Sequence, residues 1–474
     1  MESAVHFLNN LIWSPALVYL CLGTGLYFSI RTRFLQVRHA AHMVGLLFGS
    51  SMSVRGVSSF QAFSLAVSGR VGTGNIAGVA TAIAMGGPGA VFWMWVIAFL
   101  GAGSAFVEAA LAQIYKEEID GQYRGGPAYY IERGLRMKWY AVLFAGATIL
   151  ATGFFLPGVQ ANSIGAAVQN AFSIPPLVTG GVVVALLGLI IFGGVRRLAL
   201  AAQIIVPFMA AGYIAMAAIV IVVKFDEVPA VVALIVKRAF GIGPAFGGIV
   251  GLAISWGVKR GIYSNEAGQG TAPMAAAAAE VKHPAAQGLV QAFSVYIDTW
   301  LVCSATAFMI LLTGKYNVVS PAGGFIKAGI PEIPYGPAFT QAAVDHVVPG
   351  IGGAFVAMAL FFFAFTTLMA YYYYAETSLA YLQGHARSPR LFNALRIIFL
   401  IVVFHGTART AELAWAMGDV GVGLMAWLNI IAILLLAKPA LACLRDYEVQ
   451  LKAGREPRYV ATDNGVEDAS HWHR

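Results

Sequence analysis

The residues best suited to chemistry lie in one run, Ser68-Gly69-Arg70-Val71-Gly72-Thr73-Gly74-Asn75-Ile76-Ala77-Gly78, midway through an apolar stretch. Four glycines fall within it, and Thr73 and Asn75 add hydroxyl and amide groups. Each glycine costs about 1 kcal/mol relative to alanine inside a helix, so the run predicts an opened helix. An opened helix ends its upstream half in free carbonyls, which suit a cation. It begins its downstream half with free amides and the positive dipole end, which suit a carboxylate. A sodium ion and a zwitterionic amino acid need those two features side by side. The same glycines also suit close helix packing, and both uses can hold together.

A second run, Gly241-Ile242-Gly243-Pro244 followed by Gly247-Gly248-Ile249-Val250-Gly251-Leu252-Ala253-Ile254-Ser255-Trp256-Gly257, predicts a second interruption. Paired interruptions in two halves of a chain point to a site at the middle of the membrane. There Ser255 can hydrogen-bond a substrate and Trp256 can wall its pocket, although core packing accounts for Trp256 equally well. Residues Gly72 to Ala77 also fit the dinucleotide pattern G-x-G-x-x-G/A, but that motif needs a preceding strand and a βαβ unit, which a membrane helix does not supply.

The elements that must hold these runs are membrane helices. The chain has 474 residues, 59% of them hydrophobic and only 11% charged, with a mean hydropathy of +0.74. So few charges cannot cover a water-facing surface of this size, and the bilayer is the solvent. Eleven spans can be drawn, at 11–30, 60–83, 89–115, 138–170, 176–193, 197–224, 240–263, 284–313, 350–383, 390–407 and 418–443. This is an all-α polytopic membrane protein. With loop 31–59 placed inside, the segments on that side hold 23 of the 30 Lys and Arg residues. That excess puts the N-terminus outside and the C-terminus in the cytoplasm of a bacterial inner (plasma) membrane. It also accounts for the net charge of +8 without a nucleic-acid partner. Setting aside the N-terminal helix and loop (1–59), five spans in 60–224 start inside and five in 240–443 start outside, the plan of an inverted repeat. Residues 444–474 form a cytoplasmic tail. Cys21, Cys303 and Cys443 make no metal or redox motif. No HExxH, GxSxG or P-loop is present, so an enzyme is not indicated, and no feature signals an obligate protein partner.

Five blocks carry a resemblance: Arg70-Val71-Gly72-Thr73-Gly74-Asn75-Ile76-Ala77-Gly78-Val79-Ala80, Gly86-Gly87-Pro88-Gly89-Ala90-Val91-Phe92-Trp93-Met94-Trp95, Gly125-Gly126-Pro127-Ala128-Tyr129-Tyr130, Ser264-Asn265-Glu266-Ala267-Gly268-Gln269-Gly270, and Phe365-Thr366-Thr367 with Tyr374-Ala375-Glu376. In this order they resemble the alanine or glycine:cation symporter family, whose bacterial members couple sodium to D-alanine or glycine. The resemblance implies a LeuT-type 5+5 inverted repeat with one extra N-terminal helix. It implies a transported sodium ion held by backbone groups around Arg70, Val71 and Thr73 and by the hydroxyls of Thr366 and Thr367. Threonine hydroxyls also commonly bond their own helix carbonyls. The carboxylate of glycine, L-alanine or D-alanine would then meet Thr73, Gly74 and Asn75, and Gln160 would contact the substrate. Ser255 and Trp256 stand where family members vary.

The remaining polar residues in spans are gating or structural candidates, because ionisable groups in a membrane mark function by default. Glu108 and Glu376 lie near expected cytoplasmic ends. Asp298 is deeper, a structural or ion-linked carboxylate. Arg260 with Asn265 and Glu266 would close an intracellular gate. Gln160 beside Asn162 suits either substrate contact or interhelical bonding.

Overall fold

The computed structural model describes residues 2–48, 56–119, 121–241, 247–384 and 388–472. Helix α1 (Glu2–Ile12) meets α2 (Pro15–Arg31) at a bend of 41°. The first glycine run separates α3 (Ser59–Arg70) from a π-helical turn (Gly74–Gly78) that continues into α4 (Val79–Gly86). Then come α5 (Gly89–Ile114), α6 (Lys138–Phe172), α7 (Pro176–Ile191), α8 (Gly194–Val223) and α9 (Val228–Phe240). The second half holds α10 (Gly247–Asn265), the short α11 (Ala272–Ala277), α12 (Pro284–Thr313), α13 (Gly352–Gln383), α14 (Pro389–Gly406), α15 (Ala411–Leu435) and α16 (Ala437–Lys452). Among the described residues, seven helices are long and apolar enough to cross a membrane, and eight if α1 and α2 count as one bent span. Two antiparallel hairpins, β1 (Glu117–Ile119) with β2 (Gln122–Arg124) and β3 (Asn317–Val319) with β4 (Phe325–Ala328), lie in the connections.

Local sequence explains the irregular places. Pro157 lacks the amide that would bond one turn back, and the turn before it, Ala151–Phe155, widens to π geometry. In α12 the π-helical stretch Tyr296–Cys303 carries Asp298. Single π turns inside α-helices recur at functional sites.

The two interrupted segments pack antiparallel along one seam. At its end Val57 forms a single parallel bridge with Ala279. Gly69 lies against Glu266, Gly74 against Ser264, Gly78 against Arg260, and Gly86 against Trp256. The second interruption nevertheless falls later than the glycine run predicts. Helix α10 is unbroken through Ser255, Trp256 and Gly257, while Ile242, Gly243 and Pro244 lie outside the described residues. Glycines 257 and 261 instead admit α5: a Cβ on Gly257 would sit 2.5 Å from the Ala90 carbonyl oxygen. The chain opens between Asn265 and Ala272, where Glu266, Gly268 and Gly270 take φ of 55°, 81° and 89°. Glycine adopts that region freely and glutamate does not, so Glu266 is held there by its surroundings.

Candidate substrate and ion site

At the first break the ladder of α3 stops and Val71 turns to ψ 89°. The Thr367 hydroxyl of α13 lies 2.9 Å from the Ser68 carbonyl oxygen, 3.4 Å from that of Val71 and 2.9 Å from that of its own Phe363. A hydroxyl has one proton and cannot satisfy three carbonyls, so an electron-rich cluster of hard oxygens is left at this point. Such a set suits a hard cation. The Ser68 carbonyl is one that the resemblance does not imply. Thr366, expected beside Thr367, bonds its own helix carbonyls of Phe362 and Phe363 and faces the Met209 sulfur at 3.7 Å. The structure does not bring its hydroxyl to the break. Gly72 lies directly against this cluster: a Cβ there would collide with the Thr367 hydroxyl and sit 3.0 Å from Gln160 Oε1.

On the other side of the break are the free amides. The Gly72 N–H donates to Asn75 Oδ1 at 2.8 Å and the Thr73 N–H to Gln160 Oε1 at 3.0 Å. Two neutral carbonyl oxygens thus stand where an anionic pair would be better placed. The Thr73 hydroxyl and the Tyr263 hydroxyl, both buried, have no hydrogen-bond partner among the described residues. Gly74 packs on Tyr263 and Ser264 of α10. These two residues, rather than Ser255 and Trp256, face the break. Ser255 lies about 13 Å further along the helix at 1.5 Å per residue.

Beneath the amides is a network on Asp298. Its carboxylate accepts from Asn75 Nδ2 at 2.7 Å, from the Ser264 hydroxyl at 3.0 Å and from Thr299 at 2.7 Å. The Cys303 thiol lies 3.3 Å from Asn75 Nδ2 and 3.2 Å from the Ser264 hydroxyl. Asn265 reaches Thr299 at 3.4 Å and accepts the Ala267 N–H at 3.0 Å, capping the second break. Glu266 is fully buried beside Gly69 and the Tyr374 hydroxyl, and neither of its carboxylate oxygens has a hydrogen-bond partner among the described residues. Arg70 is equally buried. One of its nitrogens donates to the Gln291 carbonyl at 3.2 Å and to the Ser294 hydroxyl, leaving two without partners. Glu108 accepts from the Gly268 N–H at 3.2 Å and from Asn429 at 2.8 Å. Glu376 instead forms an ion pair with Arg124 of β2 at 2.8 Å and accepts from Tyr372 at 2.7 Å.

The structure does not bring Arg260 together with Asn265 and Glu266. Arg260 points to the opposite side of the break, because α10 continues past it and turns its side chain toward α15. There Asp419 Oδ2 receives both Arg260 and Lys259, each at 2.8 Å. The guanidinium lies over the Trp415 ring at 4.5 Å, with Trp256 at 5.3 Å and Tyr263 at 5.6 Å. Helix α1 joins this cluster: Asn9 accepts from Lys259 at 3.1 Å, and the Trp13 indole donates to the Asp419 carbonyl at 2.8 Å. Trp415 and Arg260 both rest on Gly78, so they roof the π turn that starts the downstream half.

A family described as "Sodium:alanine symporter family" matches residues 1–461. The chain belongs to this family. YrbD of Bacillus subtilis (strain 168) is 62% identical over 474 residues, covering 100% of this chain and 98% of that protein. The sodium/proton-dependent alanine carrier protein of Bacillus sp. (strain PS3) is 52% identical over 431 residues, 91% of this chain and 97% of its own. Among solved structures, a manganese transporter of Eremococcus coleocola shares the fold with a TM-score of 0.56 at 14% identity, covering 85% of this chain and 82% of its own. Within this symporter, the residues that sequence reasoning missed are Tyr263, Ser264, Thr299, Cys303 and the Ser68 carbonyl. Ser264 had a signal, since polar residues followed by Gly268 and Gly270 repeat the pattern around Gly72 and Gly74.

Proposed function

We propose that this protein is a sodium-coupled symporter that moves alanine, glycine and D-alanine across the bacterial inner membrane by alternating access. The observation that carries the reading is the first break itself. Carbonyls of Ser68 and Val71 converge with the Thr367 hydroxyl on one side, and the amides of Gly72 and Thr73 stand on the other. Sodium takes the carbonyl side as a transported ion. The substrate carboxylate takes the amide side, turning Gln160 away from Thr73 and engaging the Thr73 hydroxyl. Tyr263 and Ser264 close the pocket around a small side chain. Asp298 holds Asn75 in place and faces the ammonium end. Arg260 with Asp419 closes one side of the site, and Glu108, Glu266, Asn265 and the Arg124–Glu376 pair brace the other.

The architecture that goes with this reading is eleven transmembrane helices in a LeuT-type 5+5 inverted repeat, with the N-terminus outside and the C-terminus in the cytoplasm. The antiparallel order of contacts between the two broken segments, from Gly69 on Glu266 to Gly86 on Trp256, supports it. Radiolabelled alanine and glycine uptake into proteoliposomes, with and without a sodium gradient, is the test. Equal accumulation without sodium removes the coupling. A second reading has protons as an alternative driving ion, favoured by the three carboxylates of Asp298, Glu266 and Glu108, all fully buried. Uptake driven by a pH gradient in sodium-free buffer would establish it.

A further inference from the structure

The chain's C-terminal tail plays no part in the site, yet it is not loose. Tyr459, Ala461, Val466, Ala469 and Trp472 are buried. Chain ends fray unless tied down, and this one is tied to the place where the two broken segments meet. There the Val57 N–H donates to the Ala278 carbonyl at 3.0 Å and the Glu280 N–H to the Val57 carbonyl at 3.0 Å, lacing the start of α3 to the end of α11. Gln113 spans the junction: its side-chain amide donates to the Ala276 and Ala279 carbonyls at 2.5 and 3.0 Å, while its own carbonyl accepts the Trp472 indole N–H at 2.8 Å. Lys116 donates to the Ala279 carbonyl at 3.0 Å and lies over the rings of Tyr123 at 4.2 Å and Trp472 at 5.2 Å. The Tyr459 N–H donates to the Lys282 carbonyl at 3.1 Å, and its ring packs edge-on against Trp472 and His283.

We propose that residues 459–472 are a latch. They clamp the laced ends of α3 and α11 shut on this face, and Trp472 must leave Gln113 before the face can open, so the tail sets the transport rate. The inference rests on the alternating-access reading, in which these half-helices must part. Residues 462–472 lie beyond the segment matched by the family. The rim pairs add little: Arg136 with Glu467 is 71% and 84% exposed, and exposed pairs contribute little. The indole is the anchor.

The test uses the full-length protein, a truncation after Ala461, and Trp472→Ala, all in proteoliposomes. Turnover is expected to rise about three- to tenfold in both variants, the effect of losing roughly one buried hydrogen bond on the closed side, with KM for alanine unchanged within about twofold. Turnover equal to or below the parent, in protein that stays monodisperse, overturns the latch. If the truncation aggregates, Trp472→Phe decides, because it keeps an aromatic ring, although a smaller one, and removes the N–H donor to Gln113; unchanged turnover there also overturns it. Thiol labelling of Ala278→Cys separates this failure from that of the transport reading. Labelling faster with Trp472→Ala than without it supports the latch even if no sodium-driven uptake is found, and equal labelling rates count against it.

Discussion

Replacing Thr367 with valine removes one oxygen from the proposed sodium site and leaves a side chain of similar shape. The hydroxyl stands within 3.4 Å of the Ser68 and Val71 carbonyls. Hydrogen bonds and ligand contacts to a charged partner are worth roughly 1.5–3 kcal/mol. At 1.4 kcal/mol per tenfold, Thr367→Val should weaken apparent sodium affinity by roughly ten- to a hundredfold. Alanine uptake titrated with sodium in proteoliposomes reads this directly, and at saturating sodium the alanine KM should stay within about threefold. Thr366→Val is the paired control. Its hydroxyl bonds its own helix and the Met209 sulfur, so a smaller loss is expected. Should Thr366→Val cost more sodium affinity than Thr367→Val, the assignment of the ion to the Thr367 side is wrong.

Gly72→Ala places a methyl against the Thr367 hydroxyl and 3.0 Å from Gln160 Oε1; uptake should fall by more than about a hundredfold, since a displacement near 1 Å at a site can cost that much, while size-exclusion profiles stay normal. Asp419→Asn leaves Lys259 and Arg260 as two buried cations on a neutral amide. Thermal unfolding should show a loss of about 3–5 kcal/mol, partly recovered by adding Lys259→Met; no loss would mean that water already screens the cluster. Burial pushes the His283 imidazole down from 6.5 to about 4, against the pull of Asp446 3.1 Å away. The unfolded chain takes up that proton below pH 6.5 and the folded chain does not, so stability is full above pH 6.5 and is lost as pH falls toward 4. The loss is about 3 kcal/mol at 1.36 kcal/mol per unit, and a His283→Gln variant should show a flatter pH profile of unfolding.

The first break was legible because glycine and hydrogen-bonding residues cluster where an apolar helix should be, a conflict with few structural solutions. The second was misplaced for a physical reason. Glycines at 251, 257 and 261 look the same in sequence as those at 69, 72 and 74, yet Gly257 and Gly261 make room for a neighbouring helix rather than opening their own. Only the partner's position separates the two uses, and a single sequence does not contain it. The polar run from Ser264 to Gly270 follows the end of the span drawn at 240–263, yet it is buried. Asp298 is fully buried, as are Glu108 and Glu266, and its donors from α10 and the first break are brought to it only by the antiparallel seam. Arg260 was placed by its position near the end of a span; its partner Asp419 is 159 residues away.

The oxygens proposed for the cation and the amides proposed for the carboxylate at the first break belong to one short run, Ser68 to Thr73. Stripping water from either charge alone in a low-dielectric interior is strongly uphill, whereas opposite charges a peptide or two apart largely cancel one another. Tight stoichiometry then needs no relay between distant sites. In the proposed site, a sodium ion arriving without its amino acid would meet a half-compensated charge, and the energetic barrier to carrying it through empty-handed would be written into the covalent chain.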